Sequence, residues 1–445
     1  MRLEYPHRFE RFGAVRIHAL QQVIELDSGA DEEAPATTIQ GRMVQHVSAR
    51  HLASVEKRMA IVVPCKDERR KVIEGVLSGI PHDCLIILVS NSVREPVDRF
   101  DMECRTVEHF CHLAERSAVA IHQRDPGLAE AFRLAGYTEI LDDDGLVRNG
   151  KGEGMLVGLL LASLAGRDYV GFIDADNYVP GAVHEYAKAY AAALHLAESP
   201  YAMVRISWMS KPKIQDGRLF FNRWGRTSQV TNQFLNLLIA EYSGFGTDII
   251  ATGNAGEHAV SMELGLRMRI AGGFAVEPFE FLDLFEQFGG VIPSPHPEVL
   301  KHTVDVYQVE TRNPHFHENK GHGHVQEMRL QALNVLYHSP ICLDPVRDEI
   351  RTFLTEQGVI GAEEEPPAEH VYPPLVDLDR SRFLAALVEH AESFVQISRH
   401  RIADIVVEEP ILLDTGRPID VEGIIDLGEI QGDLAEGLTE SDADA

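Results

Sequence analysis

The sequence predicts an α/β protein with a mostly parallel central sheet flanked by helices and an acidic C-terminal extension. Three observations carry this expectation. Met59-Ala60-Ile61-Val62-Val63 and Cys84-Leu85-Ile86-Ile87-Leu88-Val89 are continuous apolar runs separated by a helix-length segment, as in a βαβ unit whose strands are buried on both faces. Each run stops at polar or turn-forming residues, Pro64 to Arg69 and Ser90-Asn91-Ser92, so both strands deliver chemistry to one rim of the sheet. A third run, Tyr169 to Ile173, ends in Asp174-Ala175-Asp176-Asn177 and presents two carboxylates two residues apart, hard oxygen ligands at a sheet edge.

The bulk properties exclude several classes. With 445 residues the chain holds one large α/β domain with attachments, or two domains. The formal charge of -28 repels a nucleic-acid backbone, and no concentrated basic patch offsets it. No run of eighteen apolar residues is present, and Met1 to Pro6 lacks the apolar core of a signal peptide, so we expect a soluble, cytoplasmic protein with no membrane or nucleic-acid partner. Five cysteines, an odd number without close pairing, fit reduced thiols better than disulfides or structural zinc.

Taken in order, residues 1 to 55 read as packed edge material broken by a loop from Ser28 to Thr38. Pro64 ends the first strand, and Asp67 is placed to cap a helix from about Arg70 to Leu77. A helix-compatible segment spans Val97 to Ala118, a short strand Val119 to His122, and a helix Ala129 to Tyr137. Glycines 150, 152 and 154 precede an apolar helix from Leu156 to Leu164. They fit either a phosphate-cradling loop, with Lys151 neutralising substrate charge, or a plain flexible loop; they match neither the Walker nor the dinucleotide pattern. A helix from Val183 to Leu196 and a strand from Ala202 to Trp208 follow.

The 211–226 segment concentrates Lys211, Lys213, Arg218, Arg223, Trp224 and Arg226, suited to a small anion or to an ordinary solvated loop. After a helical run from Thr231 to Glu241, Thr252-Gly253-Asn254-Ala255-Gly256-Glu257-His258 precedes an expected helix at Ala259 to Leu266, whose start would surround an anion with backbone donors. Gly272 to Glu280 reads as a strand and turn, followed by a helix through Asp283 and Phe288. In Pro314-His315-Phe316-His317, an extended backbone would point both imidazoles the same way, able to complete a divalent site begun by Asp174 and Asp176. Mg²⁺ leads, and a histidine ligand also admits Mn²⁺ or Co²⁺.

Together, Val63-Pro64-Cys65-Lys66-Asp67-Glu68, Phe172 to Tyr178, Thr252 to His258 and Asn313 to Gly321 resemble the mannosyl-3-phosphoglycerate synthase family, over about residues 1 to 345. The resemblance implies a Rossmann-like, GT-A-like glycosyltransferase that moves mannose from GDP-mannose to D-3-phosphoglycerate with retention of configuration and a divalent metal, a step toward the compatible solute mannosylglycerate. It implies Asp176 and His317 as metal ligands, with Asp174 and His315 as further candidates. Pro64, Lys66, Glu68, Ser90, Asn91, Lys151, Asp174 and Ala175 would bind the donor. Arg218, Arg226, Thr252, Gly253, Asn254, Ala255 and Gly256 would bind the acceptor. Asp174, Asp176 and Glu257 are assigned to catalysis, with Glu257 and Asp283 as positioning candidates. Glucosyl-3-phosphoglycerate synthase is the near alternative, ahead of a sugar-nucleotide pyrophosphorylase or a non-catalytic nucleotide-sugar binder.

The expected domain spans 1–360, with a nucleotide-sugar half at about 56–180 and an acceptor and metal-completing half at about 200–345. Residues 361 to 445 carry 21 acidic against 5 basic side chains and lie beyond the expected extent of the resemblance. This acidic extension should hold a helix at 382–402, end in a disordered stretch, and cover the catalytic domain or contribute to a homodimer.

Overall fold

The computed structural model describes residues 1–397 except 28–36, 40, 178, 216–217, 223–225, 316–321 and 362; the side chains of 212–226 and 322–324 are also outside the description. Seven strands make the centre of the main sheet: β1 (Met59–Cys65), β2 (Leu85–Ser90), β3 (Ala118–His122), β4 (Tyr169–Phe172), β5 (Ala202–Trp208), β6 (His258–Ser261) and β7 (Val304–Thr311). In space they run β3-β2-β1-β4-β6-β5-β7, and all but β6 point the same way. The carboxyl ends of six strands and the amino end of β6 therefore share one rim, where a parallel α/β sheet places its ligands.

Strand alternation builds two cores. Ala60, Val62, Ile87, Val89, Val170 and Phe172 face the helices α3 (Lys151–Leu164) and α5 (Val276–Phe288), while Ile61, Val63, Ile86 and Leu88 face α1 (Arg70–Gly79), α2 (Arg99–Ala114) and α4 (Pro180–Leu196). All of these strand residues are buried. Burying each large aliphatic side chain contributes roughly 1.5 to 3 kcal/mol, which is why the near-continuous apolar runs read so clearly as central strands. The N-terminal strands continue the sheet beyond β7, with Val15–His18 and Gln21–Glu25 parallel to it.

Three segments differ from the sequence reading. The stretch expected to be a helix at Ala259 to Leu266 forms β6 and only then a single turn, Met262–Gly265. Its first residues pair on both sides, with β4 and β5, and filling that slot outweighs the weak helical spacing. Gly272 to Glu280 is not a strand followed by a turn: Ile270–Ala271 is a two-residue strand, and α5 already begins at Val276. Residues 151 to 155, expected as loop, are the first turns of α3.

The C-terminal segment up to residue 397 is built into the same compact unit. Val371–Tyr372 pairs with Ile270–Ala271, and Arg380–His390 packs on the helix Pro126–Leu134. Val395–Ile397 then adds an antiparallel edge strand to β3. The expected helix over 382–402 thus stops at His390. Beyond it, Ser393 donates its N–H to Asp125 Oδ2 at 2.7 Å while its hydroxyl accepts from His122 N at 3.1 Å. Among the described residues no helix is long and apolar enough to cross a membrane, and all five cysteines are free and buried.

Candidate active site

The Asp174-Ala175-Asp176 turn leaves the carboxyl end of β4 at the middle of the rim, with both carboxylates partly exposed. Lys151, at the first position of α3, reaches into this turn. Its Nζ lies 2.7 Å from Asp174 Oδ1 and 2.8 Å from Glu277 Oε1, with Glu277 supplied by the first turn of α5. Burial opposes the charge of Lys151, yet the two carboxylates outweigh it and hold the ammonium well above the ordinary lysine range. Two glycines keep this arrangement tight. A Cβ on Gly152 would stand 2.0 Å from the carbonyl oxygen of Ala271, and one on Gly256 would stand 2.9 Å from Asp174 Oδ2 and 3.1 Å from Lys151 Nζ. The 150–154 glycines therefore serve close approach of a helix start, in place of the cradling or flexible loop expected from sequence.

Asn177 links this turn to the next. Its side-chain amide donates to the carbonyl of Asp174 at 3.1 Å and to Glu257 Oε1 at 2.6 Å. Glu257 is fully buried, and its other oxygen has no hydrogen-bond partner among the described residues. Burial, then the neighbouring charge of Asp174, pushes its carboxyl up to about 8, against the opposing pull of Lys151 and Asn177. Three carboxylates, Asp174, Asp176 and Glu277, beside the protonated Glu257, thus face the ammonium of Lys151. That excess of negative charge fits a bound cation. Among the described residues no group of three or more His, Cys, Asp and Glu converges as a complete metal site.

The loop before β6 is held from below. Arg205, fully buried in β5, donates from Nε to the carbonyl of Thr252 at 3.0 Å and from Nη2 to that of Glu277 at 2.8 Å, and its Nη1 pairs with Glu280. His258 Nδ1 meets the carbonyl of Ala255 at 3.0 Å, and its Nε2 lies 2.8 Å from Glu280 Oε1. Gln308 of β7 accepts from the Thr252 hydroxyl at 2.7 Å, and Asn232 accepts from the Gly253 N–H at 2.7 Å. These contacts correct the helix-start reading of the loop: it leads into a strand, and the Thr252 hydroxyl and Gly253 N–H are already committed inside the protein. Asn254 is the exception. It is 6% exposed, and neither side-chain amide atom has a partner among the described residues.

On the other side of the turn, the ends of β1 and β2 are tied together. Asn91 N donates to the carbonyl of Cys65 at 2.8 Å. Asp67 adopts φ +58° and is not the N-cap of α1, a position held by Arg69, whose side chain makes no capping bond; the Asp67 carboxylate instead accepts from Val93 N at 3.0 Å. Asp67 N donates to the Ser92 hydroxyl at 2.6 Å. Ser90 and Ser92 both donate to the buried carboxylate of Glu103, each at 2.5 Å. The Ser90 side chain is therefore turned into the protein, which corrects its expected contact with a ligand. Pro64 and Glu68 are partly exposed and Lys66 is exposed, on the turn facing the rim, while Ala175 is buried.

Other expected residues are placed differently. His315 is buried, stacked on Trp208 at 4.0 Å between ring centroids, with Nδ1 3.4 Å from the Tyr186 hydroxyl. His317 lies outside the described residues, as do the side chains of Arg218 and Arg226. The 211–226 segment, expected as a loop, forms a two-stranded ribbon, Lys211–Gln215 with Arg218–Asn222, and then the start of a helix. Asp283 pairs with Arg269 at 2.7 Å, two turns along α5 from Glu277. Sequence reasoning missed Arg205, Asn177, Glu103 and Glu277. Arg205 was visible as a lone cation in an otherwise apolar strand, and Glu277 as one of several acids in the aromatic-rich α5.

A mostly parallel α/β sheet with an Asp-x-Asp turn at its carboxyl rim, flanked by a partly buried lysine and a polar loop, is the framework of a GT-A glycosyltransferase. The family model for mannosyl-3-phosphoglycerate synthase matches residues 5–387. The chain is 44% identical to mannosyl-3-phosphoglycerate synthase of Pyrococcus furiosus, covering 89% of this chain and 99% of that protein, and 36% identical to that of Aeropyrum pernix, covering 88% and 99%. It belongs to the mannosyl-3-phosphoglycerate synthase family. The match extends past residue 345, where the resemblance was expected to fade, and takes in the segment that pairs with Ile270–Ala271. Among solved structures, glucosyl-3-phosphoglycerate synthase from Mycobacterium tuberculosis is similar at 19% identity with a TM-score of 0.44, covering 73% of this chain and 94% of that one. A likeness that distant carries no weight for the site.

Proposed function

We propose that this chain transfers mannose from GDP-mannose to D-3-phosphoglycerate with retention of configuration, releasing GDP and using a divalent ion, Mg²⁺ first and Mn²⁺ or Co²⁺ as substitutes. The observation that carries the reading is the Lys151–Asp174–Glu277 cluster, a partly buried cation set between carboxylates where β4 meets the rim. Asp176 and His317 would hold the ion, with Asp174 beside it; when bound, the ion supplies positive charge against the diphosphate.

The remaining roles follow from the chain's own residues. The turns at 64–68 and 90–93 frame the nucleoside, and the Glu103 network fixes their spacing. Lys151 lies where it offsets charge developing on the departing diphosphate. Asn254 offers an amide to the acceptor, and Glu257 with Asn177 orients its hydroxyl. We assign no side-chain nucleophile: retention is accounted for by attack from the face the leaving group vacates, with the leaving phosphate accepting the acceptor's proton.

Incubation with GDP-mannose, D-3-phosphoglycerate and Mg²⁺, each omitted in turn, is expected to give GDP and a phosphorylated glycoside only when all three are present. Absence of turnover across a panel of nucleotide sugars and phosphorylated acceptors would overturn the assignment.

A further inference from the structure

The C-terminal segment reaches back to the two helix starts that carry the site. Val371–Tyr372 pairs antiparallel with Ile270–Ala271, and Gly272 N donates to the carbonyl of His370 at 2.8 Å. From this strand the Tyr372 hydroxyl donates to Glu153 Oε1 at 2.6 Å, and the other oxygen of Glu153 accepts from Gly273 N at 3.1 Å. Both side chains belong to buried residues, Tyr372 at 1% exposure and Glu153 at 3%. Burial, then the charge of Glu153, holds the phenol well above its ordinary range, so it remains a donor. Gly150 and Gly272 make room for the carboxylate: a Cβ on the first would stand 2.1 Å from Glu153 Oε2, and one on the second 2.5 Å from Oε1. A further tie comes from the helix His322–Tyr337, whose Gln331 accepts from Phe274 N at 2.7 Å.

This joint lies between two residues of the site. Glu153 follows Lys151 by two positions in the first turn of α3, and Gly273 precedes Glu277 by four, just before α5 begins. Two positions on a helix are about 200° apart, so Lys151 and Glu153 leave the same turn in nearly opposite directions. One reaches Asp174 and Glu277, and the other reaches the joint. The bond from Gly273 N to Glu153 therefore ties the turn that supplies the ammonium to the approach of the helix that supplies one of its carboxylates. With Nζ at 2.7 and 2.8 Å from its partners, a displacement of that turn by about 1 Å would break these contacts.

Resting on the glycosyl transfer proposed above, we infer that Tyr372 is a positioning residue for that reaction. Acting through Glu153, it fixes the spacing of the α3 and α5 starts and so holds Lys151 Nζ where the departing diphosphate develops charge. The C-terminal segment is then part of the catalytic framework. If the hydroxyl did no more than satisfy a buried carboxylate, its removal would cost stability and leave Lys151 where it is.

Tyr372→Phe removes the hydroxyl and keeps the ring. In the full chain, at a temperature where the variant is folded, kcat is expected to fall about tenfold with both KM values within about twofold of wild type. In a Lys151→Met background the same change should lower kcat by less than about twofold, because the two residues act through one ammonium. A second readout needs no turnover: brief acetic anhydride labelling of the substrate-free protein, followed by mass spectrometry. Lys151 should be acetylated several times faster in Tyr372→Phe than in wild type, while Lys188, paired with Glu56 at 2.7 Å, keeps its rate. If Tyr372→Phe does not fold, Glu153→Met carries the same readouts. Unchanged Lys151 labelling in a folded variant overturns the inference, as does an unchanged kcat once the wild type is shown to turn over. Absence of mannosyl transfer in the wild type, with Lys151 labelling accelerated in the variant, would remove the proposed reaction and spare the joint.

Discussion

The two sides of the Asp174 turn satisfy their buried polar groups in opposite ways. On the side proposed for the donor, Ser90, Ser92, Asp67 and Glu103 form a closed hydrogen-bond network, and the turns at the ends of β1 and β2 are locked to one another. On the side proposed for the acceptor, both amide atoms of Asn254, Glu257 Oε2, the Ser207 hydroxyl and Trp208 Nε1 are buried with no partner among the described residues. Each such orphan costs roughly 1 to 3 kcal/mol of desolvation. The proposed donor side is a preorganised frame, whereas the proposed acceptor side stores unsatisfied polar groups that a phosphorylated, hydroxylated ligand would fill.

The largest effect should come from the residue that joins the two sides. Lys151→Met leaves Asp174 and Glu277 without their shared cation, and breaking a buried pair of this kind costs on the order of 3 to 5 kcal/mol. We expect kcat/KM to fall by more than about a hundredfold, with a lowered melting temperature, both read on one preparation. Activity within about twofold of wild type would remove Lys151 from the site.

Ser92→Ala sharpens the contrast from the donor side. It removes the acceptor of Asp67 N and one donor to Glu103, so we expect a loss of about 1 to 3 kcal/mol in urea unfolding and a raised KM for the sugar nucleotide, with the acceptor KM unchanged. A stability equal to wild type would mean that the network is not what holds the frame.

A smaller effect concerns pH. The buried Glu257 carboxyl is pushed up to about 8, so between the usual glutamate range and pH 8 the folded state binds a proton that the unfolded state has released. Stability must therefore fall as pH rises through that window. In metal-free buffer, unfolding at pH 5 and pH 8 should show the wild type losing about 1 to 3 kcal/mol more than Glu257→Gln. Parallel losses in the two proteins would place an ordinary carboxyl at this position.

The readability of the sequence divides along the same line. Buried parallel strands announce themselves as unbroken apolar runs, so the ends of β1, β2 and β4, and with them Asp174, Asp176 and Asn91, were legible. The loop proposed for the acceptor was found as a Gly-rich polar stretch, but its surroundings were not. His258–Ser261 is too short to show a period, and it becomes a strand because a slot between β4 and β5 awaits it. Contacts such as Arg205 to Thr252 or Asn177 to Glu257 join residues 47 and 80 positions apart, which local pattern does not report. The glycines at 152 and 256 serve close approach, whereas the sequence offered an anion cradle at 256 and a cradle or a flexible loop at 152, because either use demands a missing side chain.

Calorimetric titration of D-3-phosphoglycerate and of glycerate into the wild type and Asn254→Ala, with GDP present, tests the contrast most directly. The account predicts that the wild type prefers the phosphorylated ligand by about tenfold or more, and that the variant loses most of this preference while unfolding at the same or a higher urea concentration, since an orphaned amide has been removed. Equal binding of the two ligands by the wild type, or a variant that binds as the wild type does but is less stable, would contradict it.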